Sequence, residues 1–235
     1  MRIFPVLALA VTAAAPLAAQ VGFMPSQSPY HAIQRGTFVE ALGGRIFGTG
    51  GLLLLGPRDG DEEGVRFVLR GKNTLQFSFG GWTAGTVRSV IDADDSVATR
   101  NKGLFHQQLI AGEIGIQLNL SGGKTWHGVA PFAGVNFGFL HGQSGPATDT
   151  SGYSFGTKVY FGPAAGARLF ISQRLYLRLE ARGLFWNLQY PASYSLEPSK
   201  QPGTLTAPNA VNPTGVSSQY TLTPEIRIGL GFSWW

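Results

Sequence analysis

Four polar residues have types that could do nucleophilic chemistry. His106 opens one alternating segment, His141 closes the next, and Ser144 and Asp149 follow shortly after. A serine activated by a histidine that an acid orients is the arrangement used for acyl transfer. Such a set is defined by geometry, however, and loops of this composition bring Ser, His and Asp together by chance. The plainer reading is four surface residues and no enzyme. Asp92, Asp94 and Asp95 have a spacing that suggests calcium, but the glycine and distant glutamate of a calcium loop are missing. Gly123-Lys124-Thr125 resembles the end of a phosphate-binding loop, yet position 118, where the first glycine belongs, is Leu118. The chain has no cysteine, which removes disulfides and thiolate sites. No metal and no cofactor is expected.

The elements that would hold these residues are strands. Leu222, Pro224, Ile226, Ile228, Leu230, Phe232 and Trp234 alternate with Thr223, Glu225, Arg227, Gly229, Gly231 and Ser233. Seven further segments show the same period of two, the signature of a strand with two unlike faces. They begin near Thr37, Val65, Leu75, Ile110, Val129, Lys158 and Leu175, which makes eight strands in all. Gly71–Asn73, Ser121–His127 and Ser172–Arg174 are short connections. Thr49–Glu63, Ile91–Gly103, His141–Gly152 and Tyr190–Gln219 are long. Short turns on one side and long loops on the other predict an all-β, eight-stranded antiparallel up-and-down transmembrane β-barrel.

The N-terminus carries an address. Met1-Arg2 is basic, Val6 to Leu17 is apolar, and Leu17-Ala18-Ala19 offers a small-residue exit. The pattern is that of a signal peptide over residues 1–19. Residues 20–36 then form an N-terminal periplasmic segment and residues 37–235 the barrel.

Alternation does not say which face is inside, but charge does. Charged residues are 13% of the chain and glycine is 33 of 235 residues. A soluble domain carries roughly 25% charge. The non-apolar strand face holds Arg45, Arg66, Arg70, Lys158, Arg168, Arg178, Arg182 and Arg227, with Glu40, Glu113, Glu180 and Glu225. Twelve charges diluted by glycine would solvate an eight-stranded barrel poorly. They fill a narrow lumen well. The apolar face therefore meets outer-membrane lipid, and the lumen network is net basic. That leaves a narrow, weakly anion-selective pore as one alternative and a soluble ligand-binding barrel as a remoter one. No nucleic acid is expected, because the basic excess lies inside. Glu40 and Arg45 have opposite parity, so either one faces out or a bulge near Gly43-Gly44 switches the face. On the last hairpin, pairing Arg174 with Trp235 sets Arg182 opposite Arg227 and bridges them diagonally through Glu180 and Glu225.

The signal peptide, the eight strands and the ending Ile226-x-Ile228-x-Leu230-x-Phe232-x-Trp234-Trp235 resemble the small outer-membrane barrels: the OmpA transmembrane domain, OmpX and the opacity proteins. The resemblance implies a bacterial outer-membrane location and a final strand read by the barrel-assembly machinery. It implies a structural or surface-interaction role, or else a lipid-modifying enzyme with a rim histidine. The loop 190–219, rich in Pro, Ser, Thr and Asn, is the natural place for an extracellular ligand.

Overall fold

A computed structural model describes residues 28–34, 36–71, 74–145 and 149–233. The expected signal peptide, 1–19, lies outside them, as do Trp234 and Trp235 of the expected assembly signal. Eight long strands form the barrel: β2 Thr37–Thr49, β3 Arg58–Arg70, β4 Leu75–Ile91, β5 Asn101–Asn119, β7 Val129–Gly142, β8 Gly156–Phe170, β9 Leu175–Gln189 and β10 Ser218–Phe232. Each pairs antiparallel with its sequence neighbour, and β10 closes on β2. Two three-residue strands, β1 Tyr30–Ala32 and β6 Lys124–Trp126, pair with one another at the short-turn end. Part of the segment 20–36 therefore folds against the periplasmic turn. There Ile33 is buried and accepts a hydrogen bond from Arg70.

The register fixes the barrel's shape. A circuit of pairing from Gln76 runs through Gln117, Gly134, Ala164, Arg182, Glu225, Ile46 and Gly60, and returns to its own strand at Thr86. That stagger of ten residues over eight strands requires a tilt of about 40°. The strands also run further outward than the alternation suggests. Arg58–Glu63 belongs to β3, and the first long loop shrinks to residues 50–57.

Most of the outside is apolar. Ile228, Leu179, Val159, Phe139 and Ile114 are more than half exposed, on five different strands. The inside is filled in three layers. At the periplasmic end Phe38, Val68 and Tyr176 pack together, with the Phe38 and Tyr176 ring centroids 4.9 Å apart. Charged side chains occupy the middle. Towards the outside, Trp82, Leu109, Leu140, Phe155, Tyr160, Trp186 and Tyr194 form one apolar cluster. Glycines make room for the largest rings. A Cβ on Gly231 would lie 2.3 Å from the Tyr176 ring, and one on Gly138 would lie 2.6 Å from Tyr160. Filling a lumen this narrow needs large side chains opposite almost none.

Candidate functional site

The middle layer is a belt of charge built around Glu113 of β5. Its carboxylate accepts from Arg182 Nη1 at 2.6 Å, Arg227 Nη1 at 3.1 Å and Arg66 Nη2 at 3.2 Å. It also accepts from the Tyr160 hydroxyl at 2.5 Å and from Trp82 Nε1 at 3.0 Å. Strands β3, β4, β8, β9 and β10 thus converge on one residue. Glu180 takes Arg66 at 3.1 Å and Arg178 Nε at 2.8 Å. Glu40 takes the Tyr176 hydroxyl at 2.5 Å and Arg178 Nη1 at 3.3 Å. Glu225 takes Arg182 Nε at 2.8 Å, and Arg227 donates to Glu62 and forms an ion pair with Glu225. Arg168, nearer the periplasmic end, donates to Gln76 at 2.7 Å and to Asn119. Every one of these charged groups is buried. Alternation places them there: each stands on the face opposite the lipid, and those that share a strand are two or four residues apart.

The belt differs from the sequence expectation at named positions. Arg45 is not in it. Its side chain is 53% exposed and pairs with Asp61 at 2.9 Å on the outer wall. Alternation along β2 is unbroken, with Phe38, Glu40, Leu42 and Ile46 all buried, so no bulge turns Arg45 inward. Arg70 faces in but caps the periplasmic end, bonding Ile33 instead of a carboxylate. Lys158 faces in without an ion pair among the described residues, its ammonium 5.9 Å from the Phe155 ring. Glu62 is a member that sequence reading missed, because Arg58–Glu63 looks like a polar loop. The belt is therefore balanced: Arg66, Arg168, Arg178, Arg182 and Arg227 face Glu40, Glu62, Glu113, Glu180 and Glu225. The belt itself carries no basic excess; the inward Arg70 and Lys158 lie outside it. The last hairpin is also two residues out of the expected register. Arg182 stands opposite Glu225, and Arg227 opposite Glu180.

The four candidate catalytic residues do not meet. His106 and His141 both face outward. His106 pairs with Val87 and His141 with Ile110, four residues from His106 on the same strand, or roughly 13 Å. His141 Nδ1 is bonded to Thr157 at 2.9 Å. Ser144 is exposed. Asp149 is taken by Arg88, a buried inward residue whose guanidinium lies between Phe105 and Tyr153. Burial pushes the Asp149 carboxyl up, but hydrogen bonds from Ser151 and Arg88 outweigh it and hold the group below its ordinary range.

The long loops form a lid. Tyr194 is fully buried under residues 190–217 and donates to the Ile91 carbonyl at 2.7 Å. Burial pushes its phenol up to about 12. Glu197 accepts the backbone N–H groups of Gly203 at 2.7 Å, Asn209 at 3.0 Å and Ala210 at 3.4 Å. Those bonds hold its carboxyl below the usual range. The acidic trio whose spacing suggests calcium is the clasp of this lid. Asp94 accepts Ser199 N at 3.0 Å, Asp92 accepts the Thr150 hydroxyl at 2.8 Å, and Asp95 takes both Lys102 and Lys200.

No protein-family model and no curated protein matches the chain. Among solved structures, Neisserial surface protein A aligns with a TM-score of 0.52 at 12% identity, covering 85% of this chain and 98% of that one. The outer membrane protein OprG from Pseudomonas aeruginosa aligns with a TM-score of 0.51 at 10% identity, covering 87% and 98%. Its fold is that of the small outer-membrane β-barrels. An apolar outer wall on that fold is the surface a membrane-spanning barrel presents to lipid, and the structures it aligns with are bacterial outer-membrane proteins. At these identities the likeness is one of architecture, and the role has to be argued from the residues.

Proposed function

We propose that this protein is a closed, non-catalytic outer-membrane barrel that anchors an ordered surface platform. The observation that carries the reading is the continuous filling of the interior: an aromatic plug, a balanced ionic belt and an apolar cap under the lid. A conducting channel needs a water-lined path, and these layers occupy it. A charged belt is a costly way to fill a core unless every charge is paired, and the pairs then link strands far apart in sequence. Residues 190–217 are rich in hydrogen-bonding groups and stand furthest from the lipid, where a surface partner would meet them. Osmotic swelling of liposomes carrying the purified protein tests the closed lumen: small sugars should not enter. Replacing residues 198–208 by a Gly-Ser linker tests the platform. The barrel should keep its heat-dependent gel migration while attachment of the host cells to surfaces falls. Sugar entry would end the first half of the proposal, and unchanged attachment the second.

A further inference from the structure

The outer wall is not uniformly apolar. Along β2, β3 and β4 the outward positions are Gly43, Arg45, Asp61, Glu63, Gly81 and Thr83. Asp61 is 84% exposed and Arg45 53%, and Glu63 has no hydrogen-bond or ion-pair partner among the described residues. These groups lie deep. Gly43, the pairing partner of Glu63, is itself opposite Ile228, and from Ile228 the apolar face of β10 climbs six more residues to Leu222. The barrel's stagger recovers about two and a half of those residues, so Glu63 stands roughly 8 Å below the level of Leu222. A charge at the lipid face costs up to about 4 kcal/mol near the midplane, less for carboxylates and less near the interface. An unpaired carboxylate there calls for a partner from the membrane.

The wall has the shape to receive one. Two recesses meet at Glu63 and Thr83. The outer, of about 490 Å³, is polar and is also lined by Asp61, His106 and Gln108. The inner, of about 900 Å³, is lined by Ala41, Val65, Phe67, Phe79 and Ile110, with Phe67 and Phe79 stacked at 5.1 Å. A polar cup above an apolar trough matches one amphiphile, head up and chain down. Asp61 and Glu63 line the cup, and Arg45 pairs with Asp61 alone, so Glu63 leaves a net negative charge that favours a cationic donor and disfavours a bare anion.

We infer that this groove binds an acyl lipid through an ammonium headgroup, with Glu63 and Asp61 as the acceptors and Phe67 and Phe79 against the chain. A primary ammonium supplies the charge-assisted hydrogen bonds that Glu63 lacks. A second copy of the chain would be a poorer occupant, because a two-fold contact through this face sets the same acidic groups against each other.

Native mass spectrometry of the full chain, extracted from vesicles of phosphatidylethanolamine, phosphatidylcholine or phosphatidylglycerol, tests this. Wild type should retain phosphatidylethanolamine over both others. Glu63→Gln, nearly isosteric, should lower that retention roughly tenfold, the effect of about one lost charge-assisted bond. Ala41→Trp, which fills the trough, should lower retention of all three lipids. Both variants are scored only where heat-dependent migration is retained, and Glu63→Gln serves alone if Ala41→Trp does not fold. Equal retention of the three lipids, retention unaffected by Glu63→Gln, or a homodimer in place of a lipid adduct would each overturn the inference.

Discussion

Arg182 stands directly opposite Glu225 on the last hairpin, its Nε 2.8 Å from the carboxylate Oε1, and neither side chain reaches solvent. The pair does not stand alone, since Arg182 also reaches Glu113. Glu225→Ala therefore leaves a partly compensated buried guanidinium, and removing one partner of such a pair costs about 3–5 kcal/mol. Denaturant unfolding in detergent should show a larger loss for Glu225→Ala than for Asp94→Ala, a loop change of the same charge. Adding Arg182→Leu should recover part of the loss. Simple additivity in that cycle would show that the two residues do not interact.

Glu113 should be the least replaceable carboxylate in the chain. It gathers three guanidinium groups, a phenol and an indole. Glu113→Ala is expected to cost about 3–5 kcal/mol by the same measurement. Glu63→Ala, on the lipid side of a neighbouring part of the wall, should be neutral or stabilising. A comparable loss at both positions would mean that the two faces are confused.

The outer wall can be tested by charge as well. Ile228 is 62% exposed to the region where lipid lies. Ile228→Arg should cost about 2–4 kcal/mol, and Tyr220→Arg, nearer the rim, about 1 kcal/mol or less. Refolding yield into vesicles and unfolding in the same lipid provide the comparison. Equal tolerance at the two sites would contradict a lipid-facing β10.

Much of this architecture was legible beforehand, and its failures have physical causes. The alternation of β10 and β9 is long and clean, so their faces could be read directly. Strand β2 carries two charges of opposite parity, Glu40 and Arg45, and period-two reasoning cannot choose between them without a neighbour to set the phase. Pairing with β3 and β10 decides it, because Arg45 meets Asp61 across the outer wall. Glu62 was missed because five of the six residues Arg58–Glu63 are charged and the sixth is glycine, which reads as a loop. Only the ladder with β2 and β4 makes the segment a strand. The last hairpin's register was off by two because residues 190–217 join its strands, and so long a loop imposes no turn geometry. Barrel closure sets it instead. The lid was invisible for a related reason, since its bonds join Asp92, Asp94 and Asp95 to residues as distant as Lys200.

Acid should open that lid before it harms the barrel. The backbone N–H of Ser199 holds the Asp94 carboxyl below its ordinary range, hydrogen bonds from Lys102 and Lys200 do the same for Asp95, and backbone bonds from Gly203 and Asn209 lower Glu197. Each depressed group stabilises the closed loops at pH above its unfolded value. That support is lost as pH falls through the folded values, below about pH 4. Hydrogen exchange in residues 190–217 should accelerate between about pH 4 and pH 2, after correction for intrinsic rates, while β9 and β10 stay protected. Uniform protection across that range would mean that these carboxylates do not hold the lid.

The central claim is that the lumen is closed by its own side chains, and single-channel recording in planar bilayers tests it most directly. Purified wild-type protein with heat-dependent migration should insert and remain silent. Glu113→Ala combined with Arg182→Ala, which empties the centre of the belt, should show small, brief openings if the barrel survives. Stable, large conductance from the wild-type protein would contradict the account.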